Sequence, residues 1–109
     1  MMAHHPIPLD TLVERWAQIA TDVQQGYTLT FDDYLNDVDL RHGIAKRLRV
    51  SAIDGLVAAD LRTADDRFRA ATTSSADCLW GAENARHESW TSEREWYYYR
   101  LPLRLPSDW

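Results

Sequence analysis

From Leu9 to Ala71 apolar residues recur at helical spacing; beyond Ala71 the pattern changes. Leu12, Val13, Trp16, Ile19, Ala20 and Val23 fall at i, i+3, i+4 and i+7, which predicts a helix over Asp10 to Gln25 with one apolar stripe. Asp10 or Thr11 supplies its cap, Thr11 with Glu14 in capping-box spacing, and Gly26 suits a left-handed stop. A second helix is expected from Phe31 to Asp37, with Thr30 as cap and Asp33 three residues later. Asp39 reads as a fresh cap for a third, Leu40 to Arg49; one bent helix from Phe31 to Arg49 is the alternative. The last long helix opens at Ser51, paired with Asp54 in another capping box, and runs to Ala71 on Ile53, Leu56, Val57, Leu61, Ala64 and Phe68. Arg62 with Asp66, and Asp65 with Arg69, sit at i+4 and read as solvent-side pairs.

All four prolines lie near the ends, at positions 6, 8, 102 and 106, so the strongest helix breaker is absent in between. Thr72 to Ser75 reads as a connection, followed by short helical turns at Glu83 to His87 and Trp90 to Glu95. Seven of the twelve aromatics follow Leu79. Trp96 to Leu105 reads as extended: Tyr97, Tyr99, Leu101, Leu103 and Leu105 form a buried face, and Trp96, Tyr98, Arg100, Pro102 and Arg104 a half-exposed one. No other segment looks like its partner strand. It therefore either lids the helices as irregular coil or pairs with another chain's edge, and the lid is favoured because a small bundle needs the apolar area. The expected architecture is mainly α: three to four helices closed by an aromatic-rich extended C-terminal segment. Residues 1–8 are expected to be a flexible start, 9–71 the helical body and 72–109 the irregular aromatic segment of one domain.

At 109 residues there is room for one domain only. A net charge of −5 argues against nucleic acid as a partner, because phosphate binding needs a basic footprint. The charge is uneven, with seven acids and one base up to Asp39 and seven bases against four acids from Leu40 to Ala71. Eleven of the twelve bases are arginine, the bias of a GC-rich genome, and a bacterial source is expected. No apolar run approaches a membrane span, the start lacks a secretory signal, and the lone Cys78 fits a reducing compartment, so a cytoplasmic protein is expected.

Candidate chemistry is sparse. The sequence has no HExxH, paired CxxC, glycine-rich phosphate loop or GxSxG, and neither a catalytic set, a metal site nor a cofactor is expected. His4 and His5 lack a second ligand pair. Cys78 with His87 is the sole thiol–imidazole combination, and Cys78 beside Leu79 and Trp80 reads rather as a small buried hydrophobe. Asp32, Asp33, Asp37 and Asp39 fail the calcium-loop pattern, with Arg41 and His42 where a ligand and a glycine belong. Capping explains most of them, leaving Asn36 with Asp37 as a candidate binding pair.

Acidic groups beside aromatics describe surfaces that bind proteins, with Trp and Tyr as anchors, which singles out Trp80, Trp90, Trp96 and Tyr98. The leading expectation is a non-enzymatic interaction module, by self-association or with a protein partner. One alternative is an acidic antitoxin- or immunity-type inhibitor of a basic toxin or nuclease. Another is a small-ligand binder or enzyme with a pocket between tail and helices, lined by Asn84, Arg86, His87 and Tyr97.

Overall fold

In the computed structural model, which describes residues 7–107 and Trp109, three long helices form the body: α1 (Leu9–Gly26), α2 (Phe31–Leu48) and α3 (Gly55–Ala70). His4, His5 and most of the expected flexible start lie outside the described residues. The fold is a mainly α bundle, closed by a C-terminal aromatic segment. No helix among the described residues is long and apolar enough to cross a membrane.

Helix ends follow local chemistry. α1 begins at Leu9, ahead of the expected caps, because Pro8 enters it with its carbonyl accepting from Leu12 N. Asp10 falls in the first turn instead, where the dipole favours an anion. At the other end Gly26 takes a φ of +109°, a conformation that side chains other than glycine rarely adopt. The Thr30–Asp33 capping box of α2 forms as expected. The break expected at Asp39 does not, and the alternative of one helix holds: α2 runs unbroken for 18 residues and absorbs Gly43, with Val38, Arg41, His42 and Ile44 buried along it. α3 starts four residues after Ser51, because the side chain of Asp54 is its cap and accepts from Leu56 N at 2.8 Å.

The helices meet at a buried carboxylate. Asp65 of α3 accepts from Trp16 Nε1 of α1 at 2.8 Å, and from Nε and Nη2 of Arg41 of α2 at 2.9 and 3.0 Å. The expected solvent-side pairing of Asp65 with Arg69 is thereby corrected. Asp65 points inward because a buried guanidinium needs a bidentate acceptor, while Arg69 lies over the Trp96 ring at 3.8 Å. The Arg41 guanidinium also stacks on Trp96 and Tyr97, at 5.8 and 5.5 Å.

After α3 the chain forms β1 (Thr72–Ser74), then α4 (Ala82–Glu88), a 3-10 helix (Trp96–Tyr99) and β2 (Arg100–Pro102). β1 and β2 pair antiparallel, with Thr73 opposite Leu101. Bonds from Ser75 N to Tyr99 O and from Leu103 N to Ala71 O extend the ladder. The partner strand that looked missing is thus the stretch read as a connection, so the tail both lids the bundle and pairs within its own chain. The alternating faces expected over Trp96 to Leu105 do not occur. Three residues per turn bring the neighbours Tyr97 and Tyr98 into the core together. Pro102, the last residue of β2, is buried, while beyond it Leu103 and Leu105 are 63% and 57% exposed.

The segment is held to α2 by side-chain hydroxyls. Tyr34 OH donates to Arg100 O at 2.9 Å, Tyr98 OH donates to Asp39 Oδ1 at 2.6 Å, and Tyr97 OH lies 2.7 Å from His42 Nδ1. Trp109 packs its ring against Tyr27, Phe31 and Tyr34. Tyr98→Phe, which removes a bond to a carboxylate, is expected to cost about 1–2 kcal/mol in urea unfolding, and Tyr98→Ala about 3–5 kcal/mol. Equal stability of Tyr98→Phe and the parent would show that the Asp39 bond does not fasten the tail.

Candidate functional site

Two regions gather the residues singled out by sequence. The first surrounds α4, which Gly81 admits through a φ of +91° and Ser89 ends in a left-handed conformation. A cleft of about 380 Å³ lies between the Ala76–Cys78 loop, α4 and the turn that follows it. Arg86 and Arg94 line it together with Asp77, Trp90 and Tyr99. Arg86 and Trp90 are the two expected residues that line it. Asn84 is exposed on α4 and donates to Trp80 O at 2.7 Å, closing the helix's first turn. His87 is exposed and is not part of the lining, and Tyr97 lies in the core against His42.

Cys78 is buried and lines the cleft without His87, so the thiol–imidazole combination is not assembled. The Tyr99 hydroxyl donates to Trp90 O at 3.1 Å, and burial together with the nearby Cys78 raises its pKa. Trp90 packs on Tyr98 at 4.7 Å and on His42 at 5.6 Å, so it supports the tail as well as the cleft. Trp96 is half-buried under Arg69, and Tyr98 is fully buried. Trp80 is half-buried, and its Nε1 is a buried polar atom without a hydrogen-bond partner among the described residues. In the turn expected around Trp90 to Glu95, the side chain of Glu95 accepts from Thr91 N at 2.8 Å, and Glu95 N donates to Thr91 O.

The second region is the acidic corner. Asp37 accepts from Tyr27 OH at 2.6 Å, while its neighbour Asn36 is exposed. Burial and the nearby Asp33 and Asp22 raise the Asp37 pKa against the lowering effect of the Tyr27 bond. Tyr27 in turn is pushed far above the phenol range by burial and by Asp37, so its proton stays in that bond. Asp33 is the partner of the Thr30 cap in the α2 capping box, and Asp39 holds Tyr98. Among the described residues no three His, Cys, Asp or Glu side chains converge in a way that would hold a metal.

Arg41, His42 and Asp65 were not singled out by the sequence, although each is buried and polar. Their signal was faint: an arginine and a histidine on the inner face of α2, flanked by Leu40 and Ile44. His42 sits among Trp90, Tyr97 and Tyr98. Burial lowers its pKa, with Lys46 and Arg49 adding to the effect and Asp39 and Glu95 opposing it. No family model matches the chain, nor does any curated protein or solved structure.

A folded-state pKa below the unfolded value makes acid unfavourable to folding, because the unfolded chain binds the proton more readily. The contribution of His42 is complete above its ordinary value near 6.5 and is lost as pH falls from there through the lowered value. Asp37, shifted upward, acts the other way and favours the folded state as pH falls through its own raised value towards the ordinary carboxylate range. Urea unfolding at pH 7.5 and 5.5 is therefore expected to show a loss for the parent and a flatter response for His42→Gln. Parallel responses would assign the pH dependence to other groups.

Proposed function

We propose that this chain is a non-enzymatic protein-interaction module of a bacterial cytoplasm. The observation that carries the reading is the pair of apolar side chains left in solvent around the turn between α2 and α3: Val50 is 83% exposed and Leu56 79%. Ile7, 41% exposed, is held nearby through its carbonyl by Arg47. Single exposed apolar residues are ordinary, but several at one end of a small bundle are the mark of a contact surface. The interior polar groups support the same reading. Arg41, Asp65, Trp16 and His42 are engaged with one another or with the tail, not aimed at a shared reaction centre.

A second reading, an acidic inhibitor of a basic toxin, draws on the gathering of Asp22, Asp33 and Asp37 around Tyr27. Both readings call for a protein partner, and the lone buried Cys78 is consistent with a reducing compartment.

Placing a photo-crosslinking amino acid at position 56 of the full chain, in lysate of the source cells, tests the interaction reading. The expected result is a discrete adduct, with itself or with one identified protein, that excess unlabelled chain suppresses. A monomer in sedimentation that yields no suppressible adduct at position 56 or at position 50 would contradict it.

A further inference from the structure

α1 and α3 pack along one seam, and α2 covers only one side of it. Trp16 and Asp65 face Arg41 of α2. One residue away on each helix, turned by roughly 100°, the half-buried Ala17 and the buried Ala64 line the other side. There two adjoining hollows, of about 180 and 390 Å³, share Asp10 and Val57 and together make a groove. Its floor is apolar and mostly small, with Val13, Ala17, Val57 and Ala64 at one end and Leu9 and Ile53 at the other.

The rim is acidic from both helices. Asp10 and Glu14 rise from α1, with Asp54 and Asp60 from the start and first turns of α3. Arg67 closes the far end by donating to Thr21 at 3.1 Å, while the near end lies at Ala52 to Asp54, in the stretch between α2 and α3. Neither of the two ion pairs found among the described residues involves any of these four carboxylates. From Asp54 to Arg67 the groove measures about 20 Å at helical rise, matching an occupant of three to four turns.

We propose that this groove docks a cationic amphipathic helix of a protein partner, an inference that deepens the interaction reading and rests on it. Apolar side chains of the incoming helix enter between Val13, Val57 and Ile53, and its Lys or Arg side chains flank them against Asp10, Glu14, Asp54 and Asp60. A helix fits this space because two neighbouring helices sharing a seam present a trough that a third completes as a bundle. The same mode, apolar anchors at i, i+3, i+4 and i+7 in a groove, serves helix recognition generally. The partner's charge is fixed by the rim, since an acidic or neutral helix would leave two rows of carboxylates facing each other without counter-charge.

The test uses the full, isotope-labelled chain and a synthetic 14-residue peptide of Leu and Lys with leucines at those helical spacings. Two controls are a scrambled peptide of the same composition and one with Glu in place of Lys. Amide shifts are expected on the first turns of α1 and along α3, with affinity weakening about tenfold between 50 and 300 mM salt. Glu14→Lys combined with Asp60→Lys is expected to weaken binding about tenfold while leaving the far-UV spectrum unchanged. Should that pair unfold the chain, Glu14→Gln with Asp60→Asn takes its place and is expected to weaken binding less, but measurably. The proposal is overturned if the Glu peptide or the scrambled peptide binds equally, if shifts fall outside the groove, or if the folded variants bind like the parent. A partner crosslinked at position 56 whose footprint avoids α1 would remove the groove and leave the interaction reading standing. Peptide binding in the groove without any cellular adduct would remove that reading instead.

Discussion

One carboxylate ties the molecule together. Asp65 receives a proton-bearing nitrogen from α1 and two from α2, and the guanidinium that supplies the latter pair lies against the rings of the C-terminal segment. Four parts of the chain, distant in sequence, are thus made to share one buried charge pair. Such a pair adds little stability compared with an apolar replacement of equal shape, but each half is intolerant of losing the other. Its contribution is therefore one of specification: it sets how α1, α2 and α3 are rotated about their axes and leaves a seam free on the opposite side.

The aromatic segment completes what the node arranges. Trp16 and Phe68 pack at 4.7 Å with their rings tilted, Phe68 meets Trp96 at 6.1 Å, and Tyr97 and Tyr98 reach α2 through their hydroxyls. A phenol suits these positions because its ring is buried while its oxygen still finds a partner. Burial raises the pKa of Tyr34, Tyr97 and Tyr98 well beyond the phenol range, which keeps those hydroxyls protonated. The tail is therefore not a free arm, since one edge of its strand is paired with Thr72 to Ser74 of the same chain.

Much of the helical body was legible in the sequence, because the apolar stripe of α1 and the Thr30–Asp33 box of α2 are local signals. What escaped was decided by tertiary contact. Asp39 looked like a cap because Asp before Leu usually is one, but Tyr98 takes its carboxylate from 59 residues away. Asp65 fitted an exposed i+4 pair equally well until Arg41 claimed it. Helix and strand periods were both wrong for Trp96 to Tyr99, where a 3-10 turn sends consecutive tyrosines inward. Of the expected site residues, Trp90, Trp96 and Tyr98 contribute packing to the tail, and Arg86 faces a cleft. The acid-rimmed seam was out of reach, since it needs two helices brought side by side from opposite halves of the body.

Equilibrium unfolding of Asp65→Ala, followed in parallel by tryptophan fluorescence and far-UV dichroism, tests the node most directly. The substitution strands the Arg41 guanidinium and the Trp16 indole N–H in the interior. The expected loss is about 3–5 kcal/mol, with both probes still moving in one transition and Asp65→Asn losing less. A loss below about 1 kcal/mol, or fluorescence changing while the helices persist, would contradict the view that one carboxylate holds the helices and the tail as a single unit.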